Sequence, residues 1–136
     1  MEYTLTLHND VQEVPLLAAF MDTISEENGM DMEMSMNINL AVEEAVVNVM
    51  NYAYPEGTVG EVKIHASVVD ELLTITIADS GSPFDPTEKE NPDINLPAEE
   101  RSIGGLGILL VRQFMDTVAY QRTDGMNILT LTKRIK

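Results

Sequence analysis

Leu40-Ala-Val-Glu-Glu-Ala-Val-Val-Asn-Val-Met-Asn-Tyr-Ala-Tyr54 is the stretch from which the rest of the chain can be read. Counting from Ile38, the apolar residues Val42, Ala45, Val46, Val49 and Ala53 recur at steps of three and four, the period of an amphipathic helix. Glu44 and Asn48 stand one turn apart, with Asn51 close by on the same polar edge. A carboxylate and a carboxamide so placed can share one small site. The carboxylate can accept a proton, and the amide oxygen can ligate a hard cation. By itself the pair also reads as a solvated helical face.

Outward from this helix, Pro55-Glu56-Gly57 stops it, and two runs rich in β-branched residues come next. Glu61 to Val69 and Leu72 to Ala78, with Asp70-Glu71 between them, predict an antiparallel hairpin. His65 lies inside the first of these strands with no second His or Cys nearby, which points to a structural or surface role. Upstream, Glu2 to His8 alternates as a strand, Asn9 or Asp10 can cap the helix after it, and Val14 to Glu27 is helical up to Gly29. Met30 to Leu40 alternates polar and apolar residues as a strand would. Methionine is a helix former, however, and Asp31 can act as a cap, so a helix from about Glu33 is expected. The four methionines here are expected to fill the core.

Downstream, Ser80 to Ser102 holds four of the six prolines and little periodicity, as a lid or binding loop does. Gly104-Gly105-Leu106-Gly107 then opens a helix carrying Ile108, Leu109, Val111, Phe114 and Met115. A second hairpin, Thr117 to Thr123 and Asn127 to Lys133, turns at Asp124-Gly125. The order β-α-α-β-β-loop-α-β-β predicts an α/β (α+β) two-layer sandwich: a mixed, largely antiparallel sheet with helices on one face.

The chain has 136 residues, which suits one domain over 1–136, and no internal repeat is visible. Its formal charge of −15 counts against nucleic acid and anionic membrane as partners, because both need a basic footprint. No window has the apolar length of a membrane span and no signal peptide is evident, so a cytoplasmic location is expected. With only eight Lys and Arg, an anionic ligand would rely on backbone N–H groups and a divalent cation.

Two further segments bear on that ligand. Asp79-Ser80-Gly81-Ser82-Pro83 ends an apolar strand, so an exocyclic amine such as adenine's could donate to Asp79 while Gly81 admits the base. A strand followed by a Gly-Pro turn would look the same. The glycines at 104–107 stand at a helix start, where phosphate is favoured, yet they match neither the Walker sequence nor the dinucleotide fingerprint.

Taken together and in this order, the three segments resemble the GHKL (Bergerat-fold) ATP-binding superfamily, and within it the small RsbW-like anti-sigma-factor serine/threonine kinases. Residues 43–57 resemble that family's N box, residues 77–86 its first glycine box, and residues 104–133 its second glycine box with the closing strands. The resemblance implies ATP and Mg²⁺ as cofactors. It makes Glu44 the general base, Asn48 the Mg²⁺ ligand, and Asp79 the adenine reader with Gly81 beside the base. Gly104, Gly105, Leu106, Gly107 and Ile108 would form the phosphate loop, Arg101 would contact the γ-phosphate, and a lid would span about 80–103. It further implies a STAS-type anti-anti-sigma protein as phosphorylation substrate, a sigma factor as second partner, and a homodimer.

The chain departs from the family pattern in three places. Tyr52-Ala53-Tyr54 replaces the usual H-x-Y, and Pro83 stands where a second glycine is common. The threonine that many members carry on the last strand aligns with Leu129, next to Thr130. A nucleotide-sensing or partner-sequestering module without turnover, and an ATPase acting on water, are the alternative functions that such a fold allows.

Overall fold

The computed structural model describes residues 2–55, 57–88 and 105–135, the side chains at 88 and 105–108 excepted. Five strands form one sheet: β1 (Glu2–His8), β2 (Glu61–Val69), β3 (Leu72–Asp79), β4 (Thr117–Thr123) and β5 (Met126–Arg134). Their order is β1-β2-β3-β5-β4, and every pairing is antiparallel. The expected mixed, largely antiparallel sheet is thus wholly antiparallel among the described residues. Three helices, α1 (Val14–Glu27), α2 (Met32–Tyr52) and α3 (Gly105–Phe114), complete the two-layer sandwich.

Local chemistry sets these boundaries. Asp31 caps α2 by accepting from the Met34 N–H at 2.7 Å, which commits the alternating methionine run to helix rather than strand. Pro in the first turn of α1 lacks only a donor that would have had no partner. At its other end, Gly29 takes a positive φ of 64°, and the Met30 N–H returns to the Ser25 carbonyl at 3.1 Å. Asp70 and Glu71 both have positive φ, as do Asp124 and Gly125, the geometry of a two-residue hairpin turn that matches strand twist. Before α1, Asp10 caps a short 3-10 turn at Val11–Glu13 through the Gln12 N–H.

The core lies between the sheet and the helices. Leu7, Val62, Ile64, Leu73, Ile75, Ile77, Leu129 and Leu131 supply the sheet side, and Leu17, Met21, Ile38, Val42, Val46 and Val49 the helix side. The methionine expectation needs correcting: Met30 and Met34 pack against this core, but Met32 and Met36 point outward, 79% and 64% exposed. Once the segment is a helix, every second residue no longer shares a face, so the four methionines separate. α2 also ends at Tyr52, short of Pro55, and His65 sits half-exposed beside Glu2. No helix among the described residues is long and apolar enough to cross a membrane.

Candidate functional site

Along β3 the residues facing the helices are Leu73, Ile75, Ile77 and then Asp79, so a carboxylate ends a row of core side chains. Asp79 is only 2% exposed. Its Oδ1 accepts from the Gly81 N–H at 2.8 Å and from Asn127 Nδ2 at 2.9 Å. Its Oδ2 is buried with no hydrogen-bond partner among the described residues. Burial pushes this carboxyl above the usual carboxylate value, against the opposing pull of those two hydrogen bonds and Arg122. A desolvated acceptor without a donor is unfavourable in isolation and becomes favourable when a ligand N–H reaches it.

Asn127 is the residue that sequence reasoning missed. It lies directly opposite Asp79 in the β3–β5 register, whereas Leu129, to which the family's threonine aligns, is two residues on and belongs to the core. All four hydrogen-bonding positions of its amide are used. Nδ2 donates to Asp79 and to the Ser82 carbonyl at 2.8 Å, while Oδ1 accepts from the Phe84 N–H at 3.1 Å and from the Tyr120 hydroxyl. One side chain therefore orients the carboxylate and fastens the first residues of the expected lid. The alternation of Asn127, Leu129 and Leu131 was the available signal: a polar residue on the core register of β5, at the same end as Asp79.

Residues 81–87 are held from other sides too. Arg122 donates to the Gly81 carbonyl at 2.8 Å, and Arg112 to the Thr87 carbonyl at 2.6 Å. The Ser82 N–H bonds the Ala53 carbonyl at 2.7 Å, joining this segment to the end of α2. A Cβ on Gly81 would lie 2.3 Å from that same carbonyl, so the glycine is required for backbone approach inside the protein itself. Gly81→Ala is expected to destabilise the fold by about 1–3 kcal/mol, read as a lower denaturation midpoint. An unchanged midpoint would contradict this packing.

Glu44, Asn48 and Tyr52 succeed one another at four-residue spacing along α2. Glu44 is half-buried and Asn48 is 5% exposed. Tyr52 meets Phe84 ring to ring at 5.6 Å, so the polar edge of α2 runs up to the segment that leaves Asp79. Tyr54 bridges the same region: its hydroxyl donates to the Glu61 carbonyl at 2.7 Å and accepts from the Ser80 N–H at 3.0 Å. Asn51 faces elsewhere, onto a hollow lined by His8, Asn9 and Glu13.

α3 packs against α2. Its last residues, Gln113 and Phe114, share a cavity of about 270 Å³ with Met34, Asn37 and Ile38 from the beginning of α2. The two helices thus run in opposite senses. Gly105 to Gly107 precede that contact by about 9–13 Å of helix, and the same distance along α2 from Asn37 and Ile38 reaches the turn of Glu44. The N–H groups of the first turn of α3 have no acceptor within the helix. Gly105, Leu106, Gly107 and Ile108 are all in the first turn of α3, so the glycines are part of the helix rather than a loop ahead of it. Arg101, Gly104 and the expected lid from 89 onward lie outside the described residues.

The residues present suit a purine nucleotide: a buried free acceptor at one end, a carboxamide and carboxylate on α2, and a helix start for the phosphates. The family described as histidine kinase-like ATPase domain matches residues 7–133. The serine/threonine-protein kinase BtrW of Bordetella bronchiseptica is 33% identical over 95 residues, 70% of this chain and 67% of that protein. The serine-protein kinase RsbW of Bacillus cereus is 36% identical over 104 residues, 74% of this chain and 64% of that one. The RsbW of Listeria monocytogenes is 29% identical over 136 residues, covering 97% of this chain and 86% of its own. The chain therefore spans about two thirds of the length of the first two. Among solved structures, the RsbU and RsbW domains of Rv1364c from Mycobacterium tuberculosis superpose with a TM-score of 0.71 at 17% identity, over 99% of this chain and 32% of that one. That likeness is one of fold.

Proposed function

The chain belongs to the histidine kinase-like ATPase domain family, and from that membership we propose that it is an ATP- and Mg²⁺-dependent protein serine/threonine kinase acting as a partner-switching anti-sigma factor. Membership implies the use of ATP, and the relatives named as serine or serine/threonine kinases support protein phosphorylation. The observation that carries the nucleotide reading is the buried, unpartnered Oδ2 of Asp79 at the end of a core strand.

In this reading Asp79 Oδ2 accepts a hydrogen bond from the exocyclic amine of adenine, with Asn127 and the Gly81 N–H holding the carboxylate in the receptive orientation. The N–H groups at the start of α3 face the phosphates, aided by the helix dipole. Asn48 offers its amide oxygen to Mg²⁺, and Glu44 takes the proton of the incoming serine or threonine hydroxyl. ATP would supply the phosphoryl group, which passes to the hydroxyl oxygen as its bond to the departing ADP breaks, and Mg²⁺ would supply the charge neutralisation that so acidic a chain does not provide. Arg101 and Gly104 belong to the same proposal as phosphate contacts. The acceptor is a STAS-type anti-anti-sigma protein, and the sequestered partner a sigma factor.

Intact-mass measurement of a STAS-type acceptor after incubation with this protein and MgATP tests the reading. One added phosphoryl group on an acceptor serine or threonine is expected. Free phosphate with an unmodified acceptor would instead support an ATPase, and neither product would support sequestration alone.

A further inference from the structure

Met32 and Met36, which turn out of the core, line a groove together with core-packed Met30. Met30, Met32 and Met36 face Asp22, Ser25 and Glu26 of α1 across a hollow of about 430 Å³. Asn39 sits in the same groove and donates through Nδ2 to Asp22 Oδ1 at 3.2 Å. That bond fixes the amide's orientation, since a flipped amide would set oxygen against carboxylate. Its Oδ1 is then buried with no hydrogen-bond partner. Leu40, 42% exposed, continues the Met32–Met36 row at four-residue spacing. The charge on the two helices that form this groove is of one sign. All eight Lys and Arg of the chain lie at Lys63 or beyond, so α1 and α2 contain none.

We propose that the α1–α2 groove docks a helical segment of a partner protein that inserts an apolar side chain between Met32 and Met36 and presents a Lys or Arg to Asp22, Glu26 and the Asn39 carbonyl. Each part of the groove asks for that occupant. Exposed thioethers adapt to an inserted apolar side chain. The carboxylates attract a cation, and the free carbonyl lacks only an N–H donor. A second copy meeting through the same face would set carboxylates against carboxylates and bring no cation. The docking stands without the nucleotide reading. Only its consequence rests on that reading: Met36 precedes Glu44 by about 12 Å along α2, so a segment held here would bring an acceptor hydroxyl near the proposed base.

Methionine-methyl NMR of the intact chain tests this, with an amphipathic helical peptide of leucine and lysine as the probe and its glutamate-for-lysine counterpart as control. The Met32 and Met36 methyl signals are expected to shift with the basic peptide, and those of buried Met21 and Met50 to stay. Met32→Ser with Met36→Ser, both on exposed side chains, is expected to weaken peptide binding about tenfold. Glu26→Gln is expected to weaken it about threefold. Both variants should keep wild-type ATP affinity. If ATP binding were absent in every form while the peptide still docked, the nucleotide reading alone would fall. Equal binding by the methionine variants, equal binding of the acidic peptide, or no binding would overturn the proposal. So would methyl shifts that track protein concentration without peptide, because they would assign the face to a second copy.

Discussion

Glu44→Gln is expected to slow phosphoryl transfer to the acceptor protein by about 10²–10⁴-fold, with ATP affinity unchanged. The substitution preserves the side chain's size at a half-buried position on α2, and it removes only the ability to take a proton. Asn48, one turn further on, keeps its place because the apolar row of α2, Val42, Ala45, Val46 and Val49, anchors the helix against the sheet independently. Single-turnover transfer separates the two quantities, since nucleotide affinity is read from the concentration dependence and the chemical step from the plateau rate. A plateau within a few-fold of wild type would show that Glu44 is not the base. A loss of affinity with an intact plateau would place it in binding instead.

Asp79→Asn is expected to weaken ATP binding by about 100-fold and to shift preference toward inosine 5′-triphosphate, whose purine carries a carbonyl in place of the amine. Asp79 Oδ1 already accepts from Gly81 and Asn127, so an amide here must keep its oxygen on that side. Its NH₂ would then occupy the position of the unpartnered Oδ2, opposing the adenine amine and matching a carbonyl oxygen. The same substitution should stabilise the ligand-free protein at neutral pH. Burial raises the Asp79 pKa in the folded state, so the folded form binds the proton more tightly than the unfolded chain does. That stability is fully present below the unfolded pKa and is lost as pH rises through the folded one. The advantage of Asp79→Asn in chemical denaturation should accordingly be present at neutral pH and vanish as pH falls through the folded pKa. An advantage that grew on acidification would contradict the burial argument.

Much of this is legible in the sequence, and the reasons are local. The hairpins at Asp70-Glu71 and Asp124-Gly125 arise from short turn sequences between β-branched runs, and the structure places both pairs at positive φ. The helical reading of the methionine run rests on methionine's helix propensity and on Asp31, whose cap is formed. Glu44 and Asn48 could be singled out because they stand one turn apart on the polar edge of an amphipathic helix, and Asp79 because it ends an apolar strand. Other features needed the third dimension. The register between β3 and β5, which sets Asn127 against Asp79, depends on strands separated by residues 80–104 and α3. Gly81 was read as making room for a base, whereas the carbonyl of Ala53 already requires it. The outward turn of Met32 and Met36 comes from the helical rotation between alternate residues, which strand-like alternation in the sequence conceals.

Asp79, Asn48 and the start of α3 are proposed to form one Mg²⁺-dependent adenine-nucleotide site. Calorimetric titration of ATP, with and without Mg²⁺, into the wild type and Asn48→Ala tests it most directly. Binding is expected to weaken when Mg²⁺ is withdrawn, and the Asn48→Ala protein to bind weakly whether or not Mg²⁺ is present. ATP binding of equal strength in all four titrations would contradict it.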